Sequence, residues 1–171
     1  VEPNDEMRQV GEQVNDSNIK FLKGSAEETN LKAKSYDLIS MASSFHWVNY
    51  KIALKEFSKL LRSNGVFTAL WNPRLTERSK VEDEVQTVLS DKYKLSNRVS
   101  SGRSGVTEKL REILQDSGYF ANSFYIDAID TIHRTKDEYL GAWRSVNDIQ
   151  AQLGIKNFNL FLKDIEEIIN K

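Results

Sequence analysis

The chain has no cysteine and only two histidines among its 171 residues. The absence of cysteine excludes disulfide scaffolds, zinc sites built from thiolates, and cysteine nucleophiles. Two histidines are too few for a metal centre that relies on several imidazole ligands, so we expect no bound metal. A composition without cysteine is typical of a reducing compartment, and we therefore expect a cytoplasmic protein.

The chain also lacks any excess of one charge and any long apolar segment. Its 24 Lys and Arg residues face 25 Asp and Glu residues, which gives a formal net charge of -1. Proteins that bind nucleic acid usually carry a clear positive excess, so we expect no nucleic-acid partner. No apolar run approaches the roughly 20 residues that a membrane-spanning helix needs, so we expect no membrane partner either.

The middle of the chain has the pattern of a strand, a helix and a second strand. Residues 36–42 (YDLISMA) form a nearly continuous apolar run, which predicts a strand buried in a parallel sheet. Residues 48–61 place apolar side chains at helical spacing, and residues 63–65 (SNG) predict the end of that helix. Residues 66–71 (VFTALW) predict the second strand. This βαβ unit should have a right-handed crossover.

Further short elements flank this unit, and strands alternate with helices along the chain. That alternation predicts a single α/β domain over residues 1–171, without an internal boundary. A helix should start at the capping box formed by Thr135 and Glu138. The other predicted elements are strands at 19–22 and within 120–132, and helices at 77–93, 107–115 and 158–169.

Four short motifs occur in a fixed order, and most of them lie beside a predicted strand. They are VEPN at 1–4 with Met7, GSAE at 24–27, SYDLI at 35–39 leading into FHW at 45–47, and FSKLLRSNGV at 57–66 leading into WNPR at 71–74. In order and spacing they resemble the class I S-adenosylmethionine-dependent methyltransferases of the small-molecule "type 11" group. The resemblance covers residues 1–74, with a looser similarity of element order beyond.

The resemblance implies a three-layer Rossmann-like sheet with helices on both faces. It also implies S-adenosyl-L-methionine as the cofactor and a small-molecule methyl acceptor as the partner. An acidic residue at a strand end can accept two hydrogen bonds from a ribose diol, and Glu2 stands at that place. The implied cofactor-binding residues are Glu2, Pro3, Met7, Ser25, Ala26, Glu27 and Ser43.

The resemblance also implies that the methyl acceptor binds beside segments that follow the other strands. His46 could orient the acceptor or remove its proton, because an unperturbed histidine titrates near neutral pH. An equally ordinary role for His46 is to order its loop through hydrogen bonds. The implied substrate-binding residues are Phe45, Trp47, Trp71, Arg74 and Trp143, with helical substrate-side segments around 74–118 and 135–171. Trp143 could instead be a core residue, and Arg74 and Arg144 could lie on solvated faces.

The glycine-rich loop of the resembled family, which follows its first strand, has no counterpart among the eight glycines of this sequence. A final antiparallel strand is missing as well. We therefore expect a partial domain, short at both ends, whose exposed strand edges favour pairing with another copy as a homo-oligomer. We also expect no measurable methyl transfer and weak cofactor binding from this chain alone.

Three other functions compete with this interpretation. Residues 102–105 (GRSG) match the GxxG loop of KH domains, which bind RNA, although the near-zero net charge argues against it. A non-catalytic binding or interaction module could keep the fold without the glycine loop. A nicotinamide-dependent enzyme with a similar sheet fits the FHW motif less well.

Overall fold

The computed structural model describes residues 1–14, 18–73, 79–95, 105–145 and 147–171. The chain forms two compact units. The first comprises residues 1–72 and 101–126, and the second comprises residues 73–100 and 127–171. The sequence pattern gives no signal for this division, because the chain passes between the units three times.

The first unit contains the predicted βαβ arrangement. Strand β1 (Tyr36–Ala42) pairs in parallel with β2 (Leu61–Leu70), and helix α2 (Tyr50–Leu60) connects the two strands. Ile39 lies opposite Phe67, and Met41 lies opposite Ala69. The α/β class and a parallel strand at 36–42 are therefore confirmed, but the predicted burial of that strand is wrong, since none of its residues is fully buried. Within the described residues, the second edge of β1 pairs with no other strand.

The helix predicted at residues 48–61 is confirmed as α2, but residues 63–65 do not end it, because they lie within β2. Helix α2 ends at Leu60, and β2 begins at once with Leu61 in an extended conformation. The early end is possible because backbone N–H groups of Lys34 and Ser35 bind the carbonyls of Lys59 and Leu60, each at 2.9 Å. These bonds satisfy carbonyls that a helix end leaves unpaired.

The core of the first unit lies between the sheet and its helices. Phe67 of β2 contacts Phe57 of α2 and Phe45, with ring centroids 5.0 and 5.2 Å apart. Helix α4 (Val106–Asp116) packs partly buried apolar side chains against the same cluster. The remaining helix of this unit is α1 (Asp5–Glu12), which begins at the N-cap Asn4.

Two predicted strands are not formed. Residues 19–22 contain no strand, and only an isolated parallel bridge between Glu2 and Lys23 lies nearby. Residues 120–132 are likewise not a strand, and Phe124 is 91% exposed. Apolar alternation favours strands only where another strand supplies the hydrogen bonds, and neither segment has such a partner among the described residues.

The second unit is helical. It contains α3 (Lys80–Asp91), α5 (Lys136–Arg144) and α6 (Asn147–Ile169), which is interrupted at Gly154. The predicted capping box of Thr135 and Glu138 is confirmed at the start of α5. Trp143 and Phe161 meet edge to face in the core, with ring centroids 5.3 Å apart. Asp164 of α6 binds Lys92 and Tyr93, which follow α3, at 2.7 Å each.

Candidate functional site

A cleft of about 590 Å³ lies in the first unit. Three stretches line it: residues 1–3, residues 25–27, and residues 38–41 of β1. Ser44 and Trp47, which follow β1, also line it. The cleft thus runs beside the unpaired edge of β1 and reaches the carboxyl end of that strand, where open α/β sheets bind their ligands. Its volume lies within the usual range for small-molecule sites.

Glu2 is fixed at the cleft by its backbone and by one oxygen of its side chain. Its N–H donates to the carbonyl of Leu22 at 2.9 Å, and its Oε1 accepts from the N–H of Asn4 at 2.8 Å. No described residue is hydrogen-bonded to Oε2. The half-buried carboxylate can therefore still accept hydrogen bonds from a ligand.

The turn at residues 25–27 is held by local hydrogen bonds. The N–H of Ser25 donates to the carbonyl of Glu28 at 3.1 Å, and the N–H of Glu28 donates to the Ser25 hydroxyl at 3.2 Å. The motif forms a tight turn, and no helix follows it. Ala26 thereby lines the cleft with a small apolar side chain.

Glu27 joins this turn to the start of α2. Its Oε1 accepts from the N–H of Asn49 at 2.7 Å. Burial opposes the charge of this carboxylate, but the hydrogen bonds from Asn49, from its own N–H and from Ser25 together hold the pKa of Glu27 below its ordinary value. Glu27 is therefore an ionised residue whose first role is to hold two parts of the cleft wall together.

The turn after β1 is rigidly placed. The N–H of Ser43 donates to the carbonyl of Leu70 at 2.8 Å, and Ser43 has a positive φ of 47°. A short 3₁₀ turn then spans Phe45–Trp47. Phe45 is fully buried against Phe67, which anchors the turn in the core.

His46 lies in this turn between the ends of the two strands. Its Nδ1 accepts a hydrogen bond from the indole Nε1 of Trp71 at 3.4 Å. Its Nε2 is buried and bonded to no described residue. Burial lowers the pKa of His46, so the neutral ring is favoured at neutral pH.

Six of the predicted site residues lie together along the cleft. They are Glu2, Pro3, Ser25, Ala26, Glu27 and Trp47. Ser43, His46 and Trp71 are not part of the cleft lining, although they form the turn and strand end beside it. Arg74 lies outside the described residues, as does most of the GRSG motif at 102–105.

Three predicted positions need correction. Phe45 cannot line a substrate pocket here, because it is fully buried among core side chains. Trp143 is likewise fully buried, in the core of the second unit, and is not part of a substrate wall. Met7 does not line the cleft, and its side chain on α1 is 64% exposed.

Sequence reasoning missed the residues that β1 itself contributes. Leu38 and Ser40 line the cleft, and Leu38 is 60% exposed. The apolar run of residues 36–42 predicts burial of the strand, but it cannot show that one strand edge stays open. No signal in the sequence distinguishes the two edges.

Within the described part of the chain, no group of three or more acidic or histidine side chains could hold a metal ion. Among the same residues, no helix has both the length and the apolar character needed to cross a membrane.

Comparisons with known proteins agree with the sequence motifs. Residues 1–69 match the family model described as a methyltransferase domain. An uncharacterized methyltransferase of Schizosaccharomyces pombe is 27% identical over 128 residues, which cover 71% of this chain and 48% of the relative. An uncharacterized methyltransferase-like protein of the same yeast is 37% identical over 57 residues, covering 33% of this chain and 22% of the relative.

A third relative, an uncharacterized methyltransferase of Mycobacterium tuberculosis, is 38% identical over 53 residues, covering 31% of this chain and 22% of the relative. The chain thus spans about half the length of the first relative, and the matched stretches cover less than a quarter of the other two. No solved structure matches the chain.

Proposed function

Because residues 1–69 match the family model of a methyltransferase domain, we propose that the cleft of the first unit binds the adenosyl part of S-adenosylmethionine. The proposed activity is methyl transfer to a small-molecule acceptor by in-line displacement. The observation that carries the proposal is the convergence of Glu2, Ala26 and Trp47 on one cleft, although they are far apart in sequence. We further infer that β1 and β2 belong to a larger Rossmann-like sheet with helices on both faces.

The residues of the cleft fit this ligand. One carboxylate oxygen of Glu2 has no hydrogen-bond partner among the described residues, and a ribose diol offers two hydroxyl donors. Ala26 leaves room beside the turn for a flat base, while the Ser25 hydroxyl is already engaged by Glu28. The apolar side chains of Leu38 and Trp47 can exclude water from a bound adenosyl group.

The chain's part in the reaction is to position the reactants and keep the site dry. When bound, S-adenosylmethionine supplies a methyl group attached to a positively charged sulfur, which needs little acid or base assistance. Orientation of two reactants can contribute about 7–11 kcal/mol in ideal cases. The aromatic ring of Trp47 favours a partly apolar acceptor. The lack of a metal-binding cluster among the described residues is compatible with this chemistry.

A non-catalytic binding module is the second candidate function. It is favoured by the open edge of β1, which runs along the cleft, and by the lack of a glycine-rich cofactor loop within the 171 residues. For the same reasons we expect this chain alone to bind cofactor weakly and to transfer no measurable methyl group. In a methyl-transfer assay with candidate acceptors, any measurable turnover would favour the enzyme over the binding module and would contradict this expectation.

The adenosyl site is tested by measuring the affinity of the chain for S-adenosylhomocysteine. We expect a dissociation constant well above the micromolar range, and a further loss of about 1–3 kcal/mol in Glu2→Ala from unmade charged hydrogen bonds. Glu6→Ala, a neighbouring exposed carboxylate on α1, should bind like the wild type. An unchanged affinity in Glu2→Ala removes Glu2 from the site, and micromolar binding by the wild type contradicts the expected weakness.

A further inference from the structure

The contact between Trp71 and His46 fixes which nitrogen of the imidazole carries the proton. The indole Nε1 of Trp71 is a hydrogen-bond donor only, and it points to His46 Nδ1 at 3.4 Å. Nδ1 must therefore present its lone pair. In a neutral imidazole the proton then resides on Nε2, so Nε2 is a donor.

This Nε2–H group has no acceptor in the described chain, and the atom is buried. Buried polar groups in folded proteins are nearly always hydrogen-bonded, and an unsatisfied donor lowers stability. The turn that holds His46 cannot easily relieve this cost. It is fixed by Phe45 in the core and by the bond from Ser43 to the Leu70 carbonyl. A ligand atom that accepts a hydrogen bond from Nε2–H would remove this cost.

Trp47 connects this donor to the cleft. Its ring lies against the His46 ring with centroids 4.7 Å apart, and it also lines the cleft. The Trp47 side chain is 69% exposed, so little packing opposes its displacement. Moving Trp47 alone is therefore the simplest way to give a ligand in the cleft access to His46.

We propose that His46 binds an oxygen atom of the methyl acceptor through its Nε2–H group, and does not remove a proton from it. This inference rests on the proposed function, because it places the acceptor beside the same cleft. The oxygen belongs to a carboxylate or a carbonyl, since both offer lone pairs to a neutral N–H donor. Trp71 acts through His46 by holding its tautomer, and Trp47 moves aside when the acceptor enters.

The tautomer is tested by nitrogen NMR of the whole chain labelled at histidine. The chain has only His46 and His133, and His46→Gln identifies the signal of His46. We expect neutral His46 to be overwhelmingly the Nε2–H form, and Trp71→Phe to shift its tautomer ratio towards that of exposed His133. A predominant Nδ1–H form, or a ratio that Trp71→Phe leaves unchanged, overturns the proposal.

Binding of the acceptor oxygen is tested with acetate as the carboxylate probe and acetamide as the carbonyl probe. Sodium chloride at equal ionic strength is the control, and the amide signal of Ser44 reports binding. We expect at least one probe to bind, His46→Gln to retain its affinity, and His46→Phe to lose about threefold to tenfold, the effect of one net hydrogen bond. The glutamine amide supplies an N–H donor but cannot act as a base.

The donor role is overturned if His46→Gln and His46→Phe lose probe affinity equally. It is also overturned if the wild type and both variants bind the probes equally, or if neither probe binds. Neither measurement requires the methyl donor. If S-adenosylhomocysteine does not bind, while the tautomer and the probe binding are as expected, the proposed function alone is rejected. If S-adenosylhomocysteine binds, but the tautomer or the probe binding is not as expected, the role of His46 alone is rejected.

Discussion

At the scale of single residues, the order of motifs predicted which stretches meet, but not which side chains face the cleft. Glu2, Ala26 and Trp47 line it as expected. Phe45 stands two residues before Trp47 in the same motif, yet it faces the core. A motif locates a turn in the chain, whereas the direction of each side chain depends on the packing partners that the fold supplies. The bond from Trp71 to His46 was equally invisible in the sequence.

Phe45 and Trp47 provide a direct test of this difference. We predict that Phe45→Ala lowers the free energy of unfolding by about 3–5 kcal/mol, because it empties a fully buried site. Trp47→Ala should change it by less than about 0.5 kcal/mol, as is usual for exposed positions. Urea denaturation of both variants measures these values. A larger loss in Trp47→Ala than in Phe45→Ala would show that the turn is oriented differently.

Glu27 should make stability depend on pH. Because hydrogen bonds hold its pKa in the folded chain below the ordinary value of 4.5, it contributes stability above that value. This contribution is lost as the pH falls through the folded pKa. We predict that Glu27→Gln weakens the loss of stability below about pH 4.5. Thermal melts over that range, with Glu28→Gln as the control, measure the effect, and identical pH profiles for the two variants would refute it.

At the scale of elements, the parallel βαβ unit and the helix cap were predictable, whereas two further predicted strands did not form. Strand β1 and the start of α5 lie where the sequence placed them. The segments at 19–22 and 120–132 have suitable composition but lack partner strands in the described chain. Helix capping depends on neighbours within four residues, whereas a strand depends on a segment that is distant in sequence. Local sequence patterns therefore predict helix caps better than they predict strands.

The capping box at the start of α5 allows a matched experiment. The Thr135 hydroxyl accepts from the N–H of Glu138, and Glu138 in turn accepts from the N–H of Thr135. We predict that Thr135→Ala lowers the free energy of unfolding by about 1 kcal/mol. Thr131→Ala, an exposed threonine outside any helix, is the control. Equal stability of the two variants in chemical denaturation would argue against the cap.

At the scale of the whole molecule, the main feature is the edge of β1 that pairs with no other strand among the described residues. An exposed strand edge offers unpaired N–H and carbonyl groups to another chain. The alternation of predicted elements indicated the α/β class, but the two-unit division depends on contacts between distant segments. We expect the open edge to promote self-association, which would give the homo-oligomer anticipated from the sequence.

Self-association through this edge is tested by placing a charge on it. We predict that Leu38→Lys shifts the chain towards monomer, because a lysine at a strand edge disfavours pairing with another strand. Ile52→Lys, at an exposed position on α2, controls for the added charge alone. Sedimentation velocity at several concentrations measures the distribution. If both variants associate like the wild type, the β1 edge is not the contact.

The central claim is that Glu2, Ala26 and Trp47, which are distant in sequence, line one binding site for an adenosyl ligand. Its most direct test is an NMR titration of the chain with S-adenosylhomocysteine, followed at the backbone amides. We predict that the signals of Glu2, Ala26 and Trp47 shift along one common, saturable binding curve. Shifts confined to residues away from the cleft, or different curves for the three residues, would contradict the claim.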